Sequence, residues 1–246
     1  MNVSAVVVSH GQAALLAQSL PALLGQVGEL VVVANVPGSV PPGVEAIHNE
    51  KPLGYAANLN LGFARCTGDA LLAANPDAVP EPGAVAALAA FMAEHPRCGI
   101  AGPRMVYPDG SPQPSRRRFP TVAGTLVRRT PLRRVVPQRR HLHLDEPQPE
   151  EPVQADWMLG GFLLLRRTML DELGGLDEGF RLYGEDIDLA YRAMRAGWER
   201  WYVPSAAVVH DWAQVTDRRL LSRHAVWHAR SMGRFVRKHP ETLGRL

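Results

Sequence analysis

The 246-residue chain is 46% hydrophobic and 21% charged with a net charge of +3, which supplies enough apolar content for a substantial core in one large or two small domains. So small a net charge argues against wholesale nucleic-acid binding, although a pI near 9.1 leaves room for a local basic patch. Cys66 and Cys98 are far apart and lack CxxC spacing; they indicate neither a zinc site nor a disulfide framework, and a reducing cytoplasm fits them.

"MNVSAVVVSHGQ" has no basic region ahead of its apolar run and no small-residue cleavage site, and no apolar stretch reaches membrane-spanning length. The expectation is a soluble or peripheral protein. Val3 to Ser9 is a β-branched run that stops at His10-Gly11, and the following segment carries Leu15, Leu16, Leu20, Leu23 and Leu24 at helical spacing. "ELVVVAN" repeats the strand signal. "NEKPLGYAANLNLGFARCTGD" reads as a loop and then a helix from about Gly54 to Cys66. A third strand, "ALLAA", runs into Asn75-Pro76-Asp77, "GAVAALAAFMAEH" gives a further helix and "CGIAGPRMVY" a further strand. Continuous apolar strands alternating with helices predict a Rossmann-like, mainly parallel but mixed sheet with helices on both faces, in a single domain. Loops at the carboxyl ends of such strands form the binding crevice. Asp77 lies on that edge, although turn chemistry alone would also account for it.

From Pro108 to Pro152 the sequence is rich in Pro and Arg, has little periodicity and reads as a long mobile excursion, either functional or a solvated, self-compensating loop. "DWMLGGFLLLRR" restores a strand interrupted by two glycines, with a helix starting at Thr168. "YGEDIDLAYRAMRAGW" then places Glu185, Asp186 and Asp188 at the start of an amphipathic helix. Acidic residues in a first turn meet the helix dipole favourably and can cap exposed amides. The same carboxylates, facing a cleft, could take a proton from a hydroxyl. "WERWYVPSAAVVHDWA" reads as a strand, a short connection and a second apolar run ending at His210. A lone histidine there is more often structural. Paired with Asp77 across one crevice, it could hold a divalent ion that keeps positions open for phosphate oxygens.

The order of these motifs resembles the inverting glycosyltransferases of family 2, which have the GT-A fold, and especially their rhamnosyltransferase-like members. The resemblance is carried by "VVVSHGQAALLAQSLPALL", "LGYAANLNLGFARCTGDALLAANPDA", "YPDGSPQPSRRRFPT", "DWMLGGFLLLRR", "GGLDEGFRLYGEDIDLAYRAMRAGW" and "YVPSAAVVH", which together cover most of Asn2 to His210. It implies transfer of a sugar from a nucleotide diphosphate to an acceptor hydroxyl with inversion, in cell-envelope or lipid-linked glycan synthesis. dTDP-rhamnose is the preferred donor, and UDP-sugars are the alternative. Asp77 in "NPD" stands where the family has its DxD element and is expected, with His210, to meet Mg²⁺ or Mn²⁺. Asp186 matches the general base, and Glu185 positions or tunes it. Donor contacts are expected from Ser9, Asn35, Gly54, Asn60, Asn75, Asp77, Trp157, Gly160 and Gly161. The chain departs from the family at Ala34-Asn35, where an Asp commonly precedes the Asn and contacts the base or ribose.

On this reading residues 1–214 form the glycosyltransferase domain, with the excursion 108–152 inserted, and 215–246 form a basic amphipathic helical segment. In that segment Arg218, Arg219, Arg223, Arg230, Arg234, Arg237, Lys238 and Arg245 interleave with Leu220, Leu221, Val226, Trp227, Met232, Phe235 and Val236. It is either a surface helix packed on its own domain or an interfacial helix on anionic lipid at the inner face of the membrane, suited to a lipid-linked acceptor. The competing functional reading is a non-catalytic nucleotide-sugar-binding protein. A nucleic-acid-binding arm in the Arg-rich segment is disfavoured, because no recognition module accompanies it.

Overall fold

Strand β1 (Val3–Ser9) is buried along its whole length, as a Val/Ala run between two sheet neighbours requires. After helix α1 (Ala13–Leu24) come β2 (Glu29–Ala34), β3 (Ile47–His48), α2 (Tyr55–Phe63), β4 (Ala70–Ala74), β5 (Ala78–Pro80), α3 (Ala84–Glu94) and β6 (Cys98–Val106). The short strands β7 (Pro112–Gln113), β8 (Arg116–Arg117), β9 (Val153–Gln154) and β10 (Trp157–Met158) follow. The chain continues through β11 (Phe162–Arg166), α4 (Arg167–Glu172), α5 (Glu185–Arg195), β12 (Glu199–His210), α6 (Arg223–Lys238) and a 3-10 turn, Pro240–Gly244. The computed structural model describes residues 1–119, 148–211 and 223–244.

Across the main sheet the order is β3-β2-β1-β4-β11-β6-β12-β5. β3, β2, β1 and β4 are mutually parallel, β11 runs antiparallel to β4 and β6, and β12 is parallel to β6 but antiparallel to β5. The sheet is therefore mixed and mostly parallel, as expected. Alternation along the strands splits the core in two. Val6, Val8, Leu71, Ala73, Leu163 and Leu165 face α2 and α5 through Leu59, Phe63, Ile187 and Tyr191. Val7, Leu72, Ala74 and Leu164 face α1 and α3 through Leu16, Leu23, Leu88 and Met92. Each fully buried Leu here contributes roughly 2 kcal/mol, so both faces are fixed by ordinary apolar burial.

Three expectations need correction. The first part of the segment Pro108 to Pro152 is structured, with β7 paired to β6 and β8 to β10, and near its far end Gln148 Nε2 donates to the Gln113 carbonyl at 2.6 Å before β9, just past the segment, pairs with β12. Two-residue strands are too short to show alternation in a sequence, and the rest of that segment lies outside the described residues. Residues Glu199 to His210 form one strand instead of two runs. The pairing with β6 slips between Val203 and Ala207, because a bulge accommodates Pro204, which has no amide hydrogen for the ladder. The helix expected from Gly54 to Cys66 spans only Tyr55–Phe63, with Gly54 in extended conformation at its N-cap.

Helix α6 packs one face on the domain. Met232 and Phe235 enter the core beside Tyr191, whose ring meets Phe235 edge-on at 5.6 Å. A charge cluster pins the same helix. Fully buried Asp188 accepts from Arg192 Nε at 2.7 Å and His239 Nε2 at 2.8 Å and pairs with Lys238 Nζ at 2.9 Å. Asp177 holds Arg234 and Lys238, each at 2.7 Å. Desolvation opposes ionisation of Asp177, but these two cations overcome it and hold its carboxyl well below the usual range. Arg218, Arg219, Leu220, Leu221 and Arg245 lie outside the described residues, and among the described residues no helix is long and apolar enough to cross a membrane.

Candidate active site

Register brings the proposed residues to one sheet edge. Phe162 stands opposite Ala74, and His210 opposite Ala78. The start of β11, the end of β4 and the end of β12 therefore meet. The Asn75 amide donates to the Gly161 carbonyl at 2.8 Å and the Asp211 amide to the Asp77 carbonyl at 3.2 Å, which locks this corner.

Within it Asp77 Oδ1 lies 3.4 Å from His210 Nε2, and the two side chains are only 15% and 4% exposed. Both atoms are buried and neither has a hydrogen-bond partner. His210 Nδ1 is 2.8 Å from Gln113 Oε1. In the neutral ring that contact takes up the Nδ1 proton, so Nε2 presents a lone pair to the carboxylate oxygen. Two buried acceptors facing each other are costly unless something positive lies between them. Among the described residues no group of three or more His, Cys, Asp or Glu could hold a metal ion. A carboxylate with one imidazole fits a divalent ion whose other positions are filled by phosphate oxygens and water.

The glycine pair connects this corner to the second half of the site. A Cβ on Gly161 would come within 3.1 Å of His210 Cε1 and Nε2, and one on Gly160 would reach Asp186 Oδ2 at 3.4 Å. Consecutive Cα atoms are about 3.8 Å apart, so one peptide unit separates the Asp77–His210 corner from Asp186. The tight approach is at Gly161, where a Cβ would press on the His210 ring, whereas at Gly160 it would make an ordinary contact with Asp186.

Asp186 is held at the first turn of α5. Its Oδ1 accepts the Ile187 amide at 2.9 Å and its Oδ2 the Gly160 amide at 3.1 Å. Burial raises its pKa above the ordinary aspartate range, while those two amides and the charge of Arg117 hold the rise down. Glu185 is raised further, first by burial and then by the neighbouring Asp186 charge. Its Oε2 is buried without a hydrogen-bond partner. The direction of both shifts favours ionisation of Asp186 before Glu185, because Asp186 accepts two amides that Glu185 lacks.

Several contributors were not singled out in the sequence. The Tyr55 hydroxyl donates to Asn75 Oδ1 at 2.9 Å and lies 3.4 Å from the Gly160 carbonyl. Burial, then the charges of Glu185, Asp77 and Asp186, raise its pKa, so it serves there as a donor. Gln113 orients His210, and Arg117 supports the ionised Asp186. A tyrosine opening a helix directly after a loop glycine was the available signal for Tyr55. Gln113 and Arg117 lie inside "YPDGSPQPSRRRFPT", a stretch that carried the resemblance without assigning either of them a role.

Of the expected donor residues, Asn75, Asp77, Gly160 and Gly161 surround this centre, with Gly54 beside Tyr55. A Cβ on Gly54 would meet the Arg181 backbone at 3.0 Å, and the Tyr55 amide donates to the Arg181 carbonyl at 2.9 Å. Trp157 donates from its indole to the Arg118 carbonyl at 2.7 Å. Ser9, Asn35 and Asn60 are engaged elsewhere. Ser9 Oγ donates to the Ser39 carbonyl at 2.6 Å. Asn35 bridges His10, Asn49 and both backbone groups of Leu53. Asn60 reaches Leu176 and Glu178, in the turn before α5.

A family model described as "Glycosyltransferase like family 2" matches residues 3–234. An N-acetylglucosaminyl-diphospho-decaprenol L-rhamnosyltransferase of Mycobacterium tuberculosis (strain CDC 1551 / Oshkosh) is 36% identical over a 206-residue alignment that covers 76% of this chain and 65% of that protein. The chain therefore spans just under two thirds of that relative's length. Two solved structures share the fold. GalNAc-T7 with UDP, GalNAc and Mn²⁺ has a TM-score of 0.69 at 19% identity, covering 96% of this chain and 48% of the other. The mannosyltransferase PcManGT of Pyrobaculum calidifontis, in complex with GDP-Man and Mn²⁺, has a TM-score of 0.62 at 16% identity, covering 98% and 64%.

Proposed function

The chain belongs to the glycosyltransferase-like family 2, and from that premise we propose that it transfers a sugar from a nucleotide-diphosphate donor to an acceptor hydroxyl, inverting the anomeric centre. The observation that carries this reading is the pair of unpartnered buried atoms, Asp77 Oδ1 and His210 Nε2, one peptide unit from a carboxylate held at a helix start. Asp77 and His210 would hold Mg²⁺ or Mn²⁺. When bound, the ion neutralises charge on the departing nucleoside diphosphate.

The rest of the chemistry falls to the protein. Asp186, held by the Ile187 and Gly160 amides, takes the acceptor hydroxyl's proton as that oxygen attacks the anomeric carbon and the bond to the donor phosphate breaks. A single displacement by the acceptor oxygen, on the face opposite the leaving group, gives inversion. Glu185 keeps a proton beside Asp186, so the pair carries one negative charge instead of two. Tyr55 fixes Asn75 through its hydroxyl and thereby the turn leading to Asp77. Gly160 and Gly161 leave room for the sugar between base and diphosphate.

dTDP-rhamnose is the preferred donor and a lipid-linked glycan the preferred acceptor. The rhamnosyl group and the lipid-linked acceptor are supported by the relative named as an N-acetylglucosaminyl-diphospho-decaprenol L-rhamnosyltransferase; dTDP as the carrier rests on the family resemblance alone, with a UDP-sugar as the alternative donor. The acceptor places the protein at the inner face of a membrane, touching it through 215–246. The test is a thermal-shift screen of nucleotide sugars with and without Mn²⁺, because a ligand bound only by the native state raises the apparent midpoint. One donor should stabilise the protein in a metal-dependent way. Folded protein that responds to none of them would overturn the reading, and donor binding without turnover would select a non-catalytic binding protein.

A further inference from the structure

The loop that feeds the catalytic helix borders a second, chemically different cleft. A cavity of about 340 Å³ is lined by Arg181, Val226, Trp227 and Arg230. The Arg181 guanidinium lies over the Trp227 ring at 5.6 Å from its centroid, and Val226 is 50% exposed. Arg234 and Lys238, farther along the same helix, are taken up by Asp177. Arg181 and Arg230, in contrast, have no carboxylate within ion-pair distance among the described residues, and both are exposed. Two cations with no carboxylate partner among the described residues thus share one cleft with an indole and an exposed apolar side chain.

The cleft is coupled to the site. Ser231 Oγ donates to the Leu182 carbonyl at 3.0 Å, and the Arg181 carbonyl accepts the Tyr55 amide. Helix α6 and the start of α2 therefore clamp the loop from both sides. Tyr183 and Gly184 turn into α5 with φ of 66° and 85°. Arg181 precedes Glu185 by four residues, so their backbones are at most about 14 Å apart. One ligand carrying a sugar on a diphosphate is long enough to reach from the cleft to the start of α5.

We infer that this cleft is the subsite for the acceptor's diphosphate, with Arg181 and Arg230 gripping the phosphates and Trp227 and Val226 taking the first carbons of the attached lipid. The inference rests on the reading of a lipid-linked acceptor and names where this chain would recognise it. Guanidinium groups match phosphate oxygens in charge and fork geometry. A cleft for free phosphate would have no use for the apolar wall.

The test is a tryptophan-fluorescence titration of the full chain in chelator, so that the donor's metal corner does not bind diphosphate. Farnesyl diphosphate is the probe, compared with inorganic pyrophosphate, farnesol and phosphatidylglycerol vesicles. Farnesyl diphosphate should saturate and should bind more tightly than pyrophosphate or farnesol. The R181A/R230A variant should weaken that binding on the order of tenfold or more, and Trp227→Phe should remove the fluorescence change. Unchanged affinity in R181A/R230A, equal binding of farnesol, or a response to vesicles alone would overturn the subsite. Transfer is not read in this experiment, whereas the nucleotide-sugar screen tests the reaction, so failures of the two are distinguishable.

Discussion

Replacing Asp186 with Asn separates chemistry from structure, and the contacts set the magnitude of each. Both carboxylate oxygens accept a backbone amide, Ile187 at 2.9 Å and Gly160 at 3.1 Å. An asparagine has one acceptor oxygen, so its NH₂ must face one of those amides, and a lost bond of this kind costs about 1 kcal/mol. Part of that is returned, because burial disfavours the ionised aspartate that the substitution removes. The net change in midpoint should stay within about 4 °C for a chain of this size. Transfer should fall much further, on the order of 10² to 10⁴-fold, since an amide cannot take the acceptor's proton. The pH dependence carries a sign. A carboxyl with a raised folded pKa stabilises below its unfolded value and loses that contribution as pH rises through the folded one. The midpoint of D186N should therefore gain on wild type from acid to neutral pH, while wild-type transfer rises as Asp186 ionises. The assay measures transfer at saturating donor and Mn²⁺, donor affinity and thermal midpoint for both proteins. Near-normal transfer by folded D186N would refute the base assignment.

The other perturbations test the surrounding groups. Asp77→Ala should abolish the divalent-ion dependence of donor binding, read by calorimetry with and without Mn²⁺, and leave the midpoint of the free protein close to wild type; an unchanged metal response would remove Asp77 from the site. Gln113→Leu, which frees the His210 ring, should weaken Mn²⁺-dependent donor binding on the order of tenfold, and wild-type affinity would show that the Gln113 contact does not matter to the metal. Glu185→Gln should match wild-type stability in mild acid and exceed it increasingly as pH rises through the raised folded pKa, because the folded chain then binds more protons than the unfolded one; a constant difference across pH in thermal melts would contradict a protonated Glu185. Asp188→Ala leaves Arg192, Lys238 and His239 around an empty position and should cost about 3 kcal/mol in chemical denaturation, with faster hydrogen exchange in α6; wild-type stability would mean the cluster contributes nothing net.

Much of this architecture was legible because it repeats. Buried strands such as "AVVV" and "ALLAA" and the leucine spacing of α1 state their periods within a few residues. Asp77 could be singled out because it follows a buried strand, and Asp186 because it opens an amphipathic helix. What could not be read is pairing at a distance. Asp77 meets His210 only because β12 turns back against β5 with His210 opposite Ala78, and Asp188 meets His239 across 51 residues. Asn60 is a further case: its side chain bonds the turn at Leu176 and Glu178, a contact more than a hundred residues away that its motif does not announce. Pro204 misled in a physical way, since a missing amide hydrogen signals a strand end unless a bulge absorbs it.

The most direct test of the central claim is product formation. The chain would be incubated with Mn²⁺, dTDP-rhamnose and a short-chain lipid-diphosphate acceptor bearing N-acetylglucosamine, and the acceptor analysed by mass spectrometry. The account predicts one added deoxyhexose, lost when the metal is chelated and absent with D186N. An acceptor left unmodified by wild-type protein that binds the donor, or transfer that proceeds equally with D186N, would contradict it.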